Sequence, residues 1–282
     1  PYARLPQFLL NYKTGNPLGL QYEFNHDTAY FKKDISDASN GTSTTFEPSG
    51  TRIYNDFAVR YNYRNPWSFV IPEVSIRNIN TFYDQDTINS NQNTNSSDEK
   101  QSVTVPQFTL DTGLTFEKDG KYLQTLTPRA FYAYAPYRNQ TGHPNFDSAT
   151  ASINYDQLFS ARRFYGHDRL EDNNFLTLGL SYSLFDEIGL ERLKAGIGQS
   201  YYFEDRRVSL DNVADEFDTE HHTGPVLSVS SQLSQKFSIG ANSAWMSNGD
   251  NAQRDLQLYY TGDKGNLYNV GYFYRKDIPN RQ

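Results

Sequence analysis

Ser247, Asn248 and Gly249 follow one another near the end of the chain, and a serine in that setting becomes a nucleophile only when a base shares its face. Residues two apart on an extended chain point the same way, so barrels of the phospholipase kind place a histidine two positions before the serine. Here Trp245 stands at that position, and an indole cannot take the hydroxyl proton. His221 and His222 are adjacent and therefore point apart on an extended chain, and a metal site would need further ligands that the sequence does not mark. His143 and His167 fall in a long loop, where a structural hydrogen bond is the expected role, while His26 is placed on the polar face of its strand. The chain is read as non-enzymatic, with no catalytic residue, no cofactor and no metal. Paired Arg162 and Arg163 remain as side chains that could meet acidic groups.

What must carry these residues is a run of twelve stretches with a period of two, joined in turn by a tight turn and a polar loop. Tyr2 to Tyr12 and Leu18 to Tyr30 meet across Thr14, Gly15, Asn16 and Pro17, whose Gly and Pro supply reversal angles. Thr51 to Tyr63 turns at Asn65, Pro66 and Trp67 into Ser68 to Phe82; Ser102 to Phe116 turns at Lys118 to Lys121 into Tyr122 to Ala135. Asn174 to Phe185 and Leu190 to Phe203 form the next pair, followed by Gly224 to Leu233 with Phe237 to Met246, and Arg254 to Tyr260 with Asn266 to Tyr274. Between the hairpins lie Phe31 to Gly50, Tyr83 to Gln101, the longest loop Pro136 to Asn173, and Glu204 to Thr223. Short turns on one side and long loops on the other are the signature of a hairpin barrel crossing an outer membrane.

The faces agree with that architecture. Leu176, Leu178, Leu180, Tyr182 and Leu184 alternate with Thr177, Gly179, Ser181 and Ser183. Val103, Val105, Phe108, Leu110, Leu114 and Phe116 repeat the pattern with a change of phase near Pro106, where a bulge or a missing donor is expected. Asp56, Arg60, Glu73, Arg77, Asp111 and Lys194 lie mid-strand; in a water-filled barrel they face the lumen at little cost, as does His26. Only 37% of residues are hydrophobic, as suits a wall that shows lipid alternate residues. No run of about 18 apolar residues is present, which excludes a transmembrane helix. Tyr12, Tyr30, Tyr63, Tyr83, Tyr122, Tyr137, Tyr260 and Tyr274, near strand ends in a chain with 22 Tyr and 2 Trp, fit an interfacial girdle.

A net charge of -7 without a basic stripe argues against a nucleic-acid partner. With no Cys, the segment offers no disulfide and no thiolate metal site. Asp84, Asp86, Asp98, Glu99, Asp211, Asp215, Glu216, Asp218 and Glu220 make the loops acidic, and they are read as solvated surface. The chain opens at Pro1 inside a strand approach, without a signal peptide, and ends at Gln282 without a terminal aromatic, so it is taken as an excised piece, one domain over residues 1–282.

YARLPQF at Tyr2 to Phe8, TLTPRAFYAYAPYRNQ at Thr125 to Gln140, YDQLFSARRFYGHDRL at Tyr155 to Leu170 and ERLKAGIGQSYYF at Glu191 to Phe203 together resemble the barrel of the LptD (organic solvent tolerance protein) family. The likeness covers most of the chain, in order, and the middle block is its most specific part. It implies the central portion of an all-β, antiparallel transmembrane β-barrel of twenty-six strands, of which about twelve are present, in the outer membrane of a Gram-negative bacterium. The implied role is assembly of lipopolysaccharide into the outer leaflet, with the sugar chain in the lumen and lipid A leaving through a lateral gap between first and last strands. Implied partners are lipopolysaccharide, an LptE-like lipoprotein plug, outer-membrane lipid, and periplasmic bridge proteins acting through an N-terminal jelly-roll. The jelly-roll, the gate strands and the cysteines that link jelly-roll to barrel are not in this sequence. The alternative is a porin or substrate-specific channel closed from these twelve strands, with Pro136 to Asn173 folded inward as a constriction and Arg162 and Arg163 facing acidic groups.

Overall fold

A computed structural model describes residues 2–32, 49–84, 100–210 and 219–276. The twelve alternating stretches form one antiparallel sheet. Its members, with the short pieces that extend them, are β1 (Ala3–Gly15), β2 (Leu20–Lys32), β3 (Gly50–Tyr61), β4 (Tyr63–Asn65), β5 (Ser68–Tyr83), β6 (Lys100–Leu114), β7 (Phe116–Lys118) and β8 (Leu123–Ala135). After the two-residue strands β9 (Ala149–Thr150) and β10 (Phe164–Tyr165), which pair only with each other, come β11 (Asn173–Phe185), β12 (Glu191–Tyr202), β13 (Val226–Gln232), β14 (Phe237–Trp245), β15 (Asn251–Thr261) and β16 (Leu267–Arg275). The order across the sheet is β1-β2-β3-β5-β6-β8-β11-β12-β13-β14-β15-β16, so every neighbour is the next long strand in the chain. β1 and β16 stand at opposite ends of that order, and the sheet is open. Among the described residues no helix is long and apolar enough to cross a membrane.

The tight turns follow the sequence chemistry. Asn16 accepts the Leu18 and Leu20 amides through its Oδ1 (both 3.1 Å), and Asp186 accepts those of Ile188 (3.1 Å) and Leu190 (2.9 Å). Gly19 and Gly189 close these two turns at φ 85° and 79°, where a side chain would strain the backbone.

The two faces differ in kind. One is open and apolar: Val74, Ile76, Leu178 and Ile197 each keep about half their surface exposed. The other is covered across its middle by residues 136–172, which fold back over the sheet. Among the described residues, each buried hydrophobic cluster draws on that segment: Phe146 with Ala29 and Phe31; Leu170 with Tyr54, Ile79, Val103, Val105 and Ala135; Tyr155, Leu158, Phe159 and Ala161 with Phe131, Ala133, Phe175, Val226 and Ala244. Its one regular piece beyond β9 and β10 is a short 3-10 helix, Gln157–Phe159.

Three sequence expectations change here. Pro106 sits in unbroken register opposite Ile76, without a bulge. The side-chain alternation of β6 runs straight through it, with Val103, Val105, Gln107 and Thr109 all buried on the covered face. The change of phase is the covered face turning apolar where Leu170 packs on it. His26 lies on the open face, not toward a lumen: its neighbour Asp27 is buried on the covered side, while the His26 ring sits beside Phe8 and Phe24. Of the tyrosines, Tyr12, Tyr63 and Tyr274 are well exposed. Tyr83 is buried and donates its hydroxyl to the Gly142 carbonyl, and Tyr137 lies under the Arg207 guanidinium at 4.0 Å. These two serve the folded-back segment rather than a girdle.

Candidate functional site, a charged seam between wall and segment

Arg52 on β3 points into the covered side with 1% of its side chain exposed. A buried guanidinium needs several acceptors. It donates to Asp168 Oδ1 at 2.5 Å and to Asp147 Oδ1 at 2.6 Å, approaches Asp27 Oδ2 at 3.5 Å, and lies 4.7 Å over the Phe31 ring. Asp168 is itself fixed, because its Oδ2 accepts the amides of Phe146, Asp147 and Ser148 at 3.0, 2.9 and 3.0 Å. On the adjacent strand β5, Arg77 donates to Glu171 Oε2 and to Gln107 Oε1, each at 2.6 Å. Arg162 reaches Asp56 Oδ2 at 3.0 Å, and Arg163 donates to Asp172 Oδ1 at 2.8 Å.

Thus Asp56 and Arg77 do face inward, but they meet ion partners rather than water. Asp56 is 6% exposed and Arg77 3%. Arg60 pairs with Glu73, and Arg129 with Asp111 (2.8 and 2.7 Å), in partly exposed positions. The sequence placed Arg162 and Arg163 toward acids, and they are there. It missed Arg52, Asp147, Asp168 and Glu171. Charge bookkeeping was the available signal: buried-strand Arg52 and Arg77 match acids of the segment, and the strand acid Asp56 matches one of its arginines.

Further along, the segment lies on a floor of small residues. A Cβ added to Gly196 would sit 2.8 Å from the Tyr155 ring, and one on Gly179 would sit 2.6 Å from Phe159 Cζ. Arg129 stacks 4.2 Å over Phe159 from the wall side. Gly196→Val is expected to displace Tyr155 and destabilise the seated segment by about 1 to 3 kcal/mol, measured as faster cleavage near residue 160 in the full-length protein.

Asp172 also accepts the Arg207 amide (2.6 Å), and Arg169 donates to the carbonyls of Ser209 (3.0 Å) and Leu210 (3.1 Å), so residues 204–210 are strapped to the same segment. Ile153, Leu158, Phe164, Phe175, Trp245 and Met246 help enclose a cavity of about 120 Å³ between the segment and the sheet. Ser247 and His222 also line it, and His222 Nδ1 is 2.9 Å from the Thr223 carbonyl. Asp84 accepts the Tyr30 hydroxyl (2.6 Å) and Glu220 lines the cavity. The other loop acids, Asp86, Asp98, Glu99, Asp211, Asp215, Glu216 and Asp218, lie outside the described residues.

Both histidines of the segment are held neutral. Burial, then Arg169, lowers His143 to about 4. Burial lowers His167 as well; its contact with Asp27 (3.1 Å) pulls the other way, while Arg52 and Arg162 add to the lowering. A released segment would bind protons near the ordinary 6.5, so it binds more protons than the seated one between that value and about 4. The histidine contribution is therefore complete above pH 6.5 and is lost as pH falls toward 4. Proteolysis of the segment is expected to rise on going from neutral pH to about pH 5, and a His143→Gln/His167→Gln variant is expected to lose most of that rise.

Among known proteins, the family model described as "LPS transport system D", LptD, matches residues 1–282. The LPS-assembly protein LptD of Acinetobacter baumannii is 75% identical over 282 residues, which is 100% of this chain and 34% of that protein. Its counterpart in Acinetobacter baylyi is 72% identical over the same span and share, and that of Psychrobacter cryohalolentis 36% identical over 99% of this chain and 28% of its own length. The chain spans about a third of the length of the curated relatives it matches. A diffusion channel closed from these twelve strands is not favoured, because the relatives are named for assembly and β1 does not pair with β16. By sequence over its whole length and by its hairpin sheet, the chain belongs to the LptD family.

Proposed function

We propose that this chain is a central stretch of wall in a larger outer-membrane β-barrel of twenty-six strands, and that it serves the assembly of lipopolysaccharide into the outer leaflet. The open face is the lipid-facing one and the covered face lines the lumen. One observation carries this: alternate residues of the same strands are exposed leucine, valine and isoleucine on one side, and charge or hydroxyl on the other. A soluble sheet would hide the first set and show the second. An amphipathic glycolipid cannot take its sugars through hydrocarbon, so a polar lumen must carry the head while acyl chains stay in lipid. The seated segment then narrows the lumen and gives the wall a core. An LptE-like plug and periplasmic bridge proteins are the partners this reading assigns to the full-length protein, and no catalysis is assigned to it.

The test is photocrosslinking in the full-length protein from Ser230 and Gln257 on the covered face and from Leu178 on the open face, with adducts to lipopolysaccharide and to the plug scored separately. Adducts from the covered-face positions support a transport lumen. Adducts to neither would reduce this stretch to scaffold.

A further inference from the structure

The make-up of both faces changes along the strands β2, β3, β5 and β6. Toward the short turns the open face is apolar, with Phe57, Val74, Ile76 and Phe108 exposed. Toward the long loops polar groups enter the open face, Thr28, Asn80 and Ser102 standing among Ile53 and Phe82, while apolar side chains gather on the covered face around Arg52, with Phe31, Ile79, Val103 and Val105 buried. The change occurs at one cross-strand row: His26 is paired with Asn55, Asn55 with Asn78, and Asn78 with Thr104. Each of these alternates with residues buried on the covered side, namely Asp27, Tyr54, Asp56, Arg77, Ile79, Val103 and Val105, so all four side chains share the open face. They are linked in two pairs: His26 Nδ1 lies 2.8 Å from Asn55 Oδ1, with His26 Nε2 2.8 Å from Thr28 Oγ1, and Asn78 donates to Thr104 Oγ1 at 2.9 Å. Asn80 in turn donates to Asn78. Ser102 stands opposite Asn80 one step higher, and Lys100 lies beyond it over the Phe82 ring at 5.2 Å.

Uncharged amides and hydroxyls facing hydrocarbon would leave much of their hydrogen-bonding capacity unmet, at a cost of several kcal/mol for each unsatisfied group. Four strands at about 4.8 Å spacing make the row roughly 14 Å wide, the scale of a disaccharide. We propose that this row is where the wall leaves the hydrocarbon of the outer leaflet, and that its amide and hydroxyl groups hydrogen-bond the sugar headgroup of an outer-leaflet glycolipid. The inference rests on the lipid-facing reading of the open face. It adds that the long-loop ends of β2, β3, β5 and β6 stand above the bilayer, with their buried apolar and ion-paired groups under the folded-back segment.

The test uses the full-length protein with its plug, reconstituted in phosphatidylethanolamine and phosphatidylglycerol vesicles with or without lipopolysaccharide. An environment-sensitive dye at Val74→Cys should be quenched by lipid-borne spin labels, and one at Thr104→Cys by aqueous iodide. A photocrosslinker at Ser102 should label lipopolysaccharide, and Asn55→Leu/Asn78→Leu should lower that adduct about five-fold, as the loss of roughly one hydrogen bond's net contribution requires. Unchanged heat-modifiable mobility marks the variant as folded; if it misfolds, Asn78→Leu alone gives the same readout. A Thr104 probe as deep as Val74, or lipopolysaccharide adducts unaffected by the variants, would overturn the inference alone. A Val74 probe outside hydrocarbon would overturn the membrane reading, and this inference with it.

Discussion

Arg52→Met is expected to free residues 136–172 from the wall. The substitution keeps much of the volume and leaves Asp168 and Asp27, both nearly fully buried, without their cation. Removing one partner of a buried ion cluster costs about 3 to 5 kcal/mol, because the remaining charges stay desolvated. The readout is limited proteolysis around Arg162 and Arg163 in the full-length protein, with cleavage expected to rise by orders of magnitude. Arg60→Met is the matched control. Its pair with Glu73 leaves 39% of the Arg60 side chain exposed, and such pairs contribute about 1 kcal/mol or less. Equal protection in both variants would show that the seam does not hold the segment.

Leu178→Arg is expected to block insertion into the membrane. Leu178 is 47% exposed on the open face, between Leu176 and Leu180. A cation on the lipid face at mid-bilayer depth costs about 2 to 4 kcal/mol, enough to stall assembly of a strand flanked by neighbours on both sides. Loss of the heat-modifiable folded form from the outer-membrane fraction measures this. Thr177→Arg points the other way, into the floor where Thr177 donates to the Leu158 carbonyl at 2.8 Å, so it should disturb the seated segment rather than insertion.

Strand positions were legible because period two over more than ten residues has a single reading. Asn174 to Phe185 in the sequence and Asn173–Phe185 in the structure differ by one residue. The less regular Arg254 to Tyr260 came out short of Asn251–Thr261, since Gln253 is buried against residue 153 rather than following the surface pattern. What alternation could not convey was contact between distant parts of the chain. Nothing local in Pro136 to Asn173 says that it returns to the sheet. Its hydrogen bonds are made to groups such as Arg52, Arg77 and Asp56, about a hundred positions away in the chain. The trace was present in the strands themselves. Val103 and Val105 are apolar on a face that is polar at Gln107, Thr109 and Asp111, and this reads as a bulge unless something apolar is known to lie above it. His26 was misplaced for a related reason: a histidine among Asn25, Asp27 and Thr28 has polar neighbours on both faces, so its own polarity does not tell which side it takes.

The central claim is that one side of these strands meets oil while the other meets water or the seated segment. A cysteine scan along β11 in the full-length protein, from Leu176 to Leu184, tests it most directly when each position is probed with a lipid-borne quencher and a water-soluble thiol reagent. The expected result is strict alternation, with Leu176, Leu178, Leu180, Tyr182 and Leu184 quenched from lipid and the residues between them not. Quenching that ignores the period of two, or that falls on Thr177, Gly179, Ser181 and Ser183 instead, would contradict it.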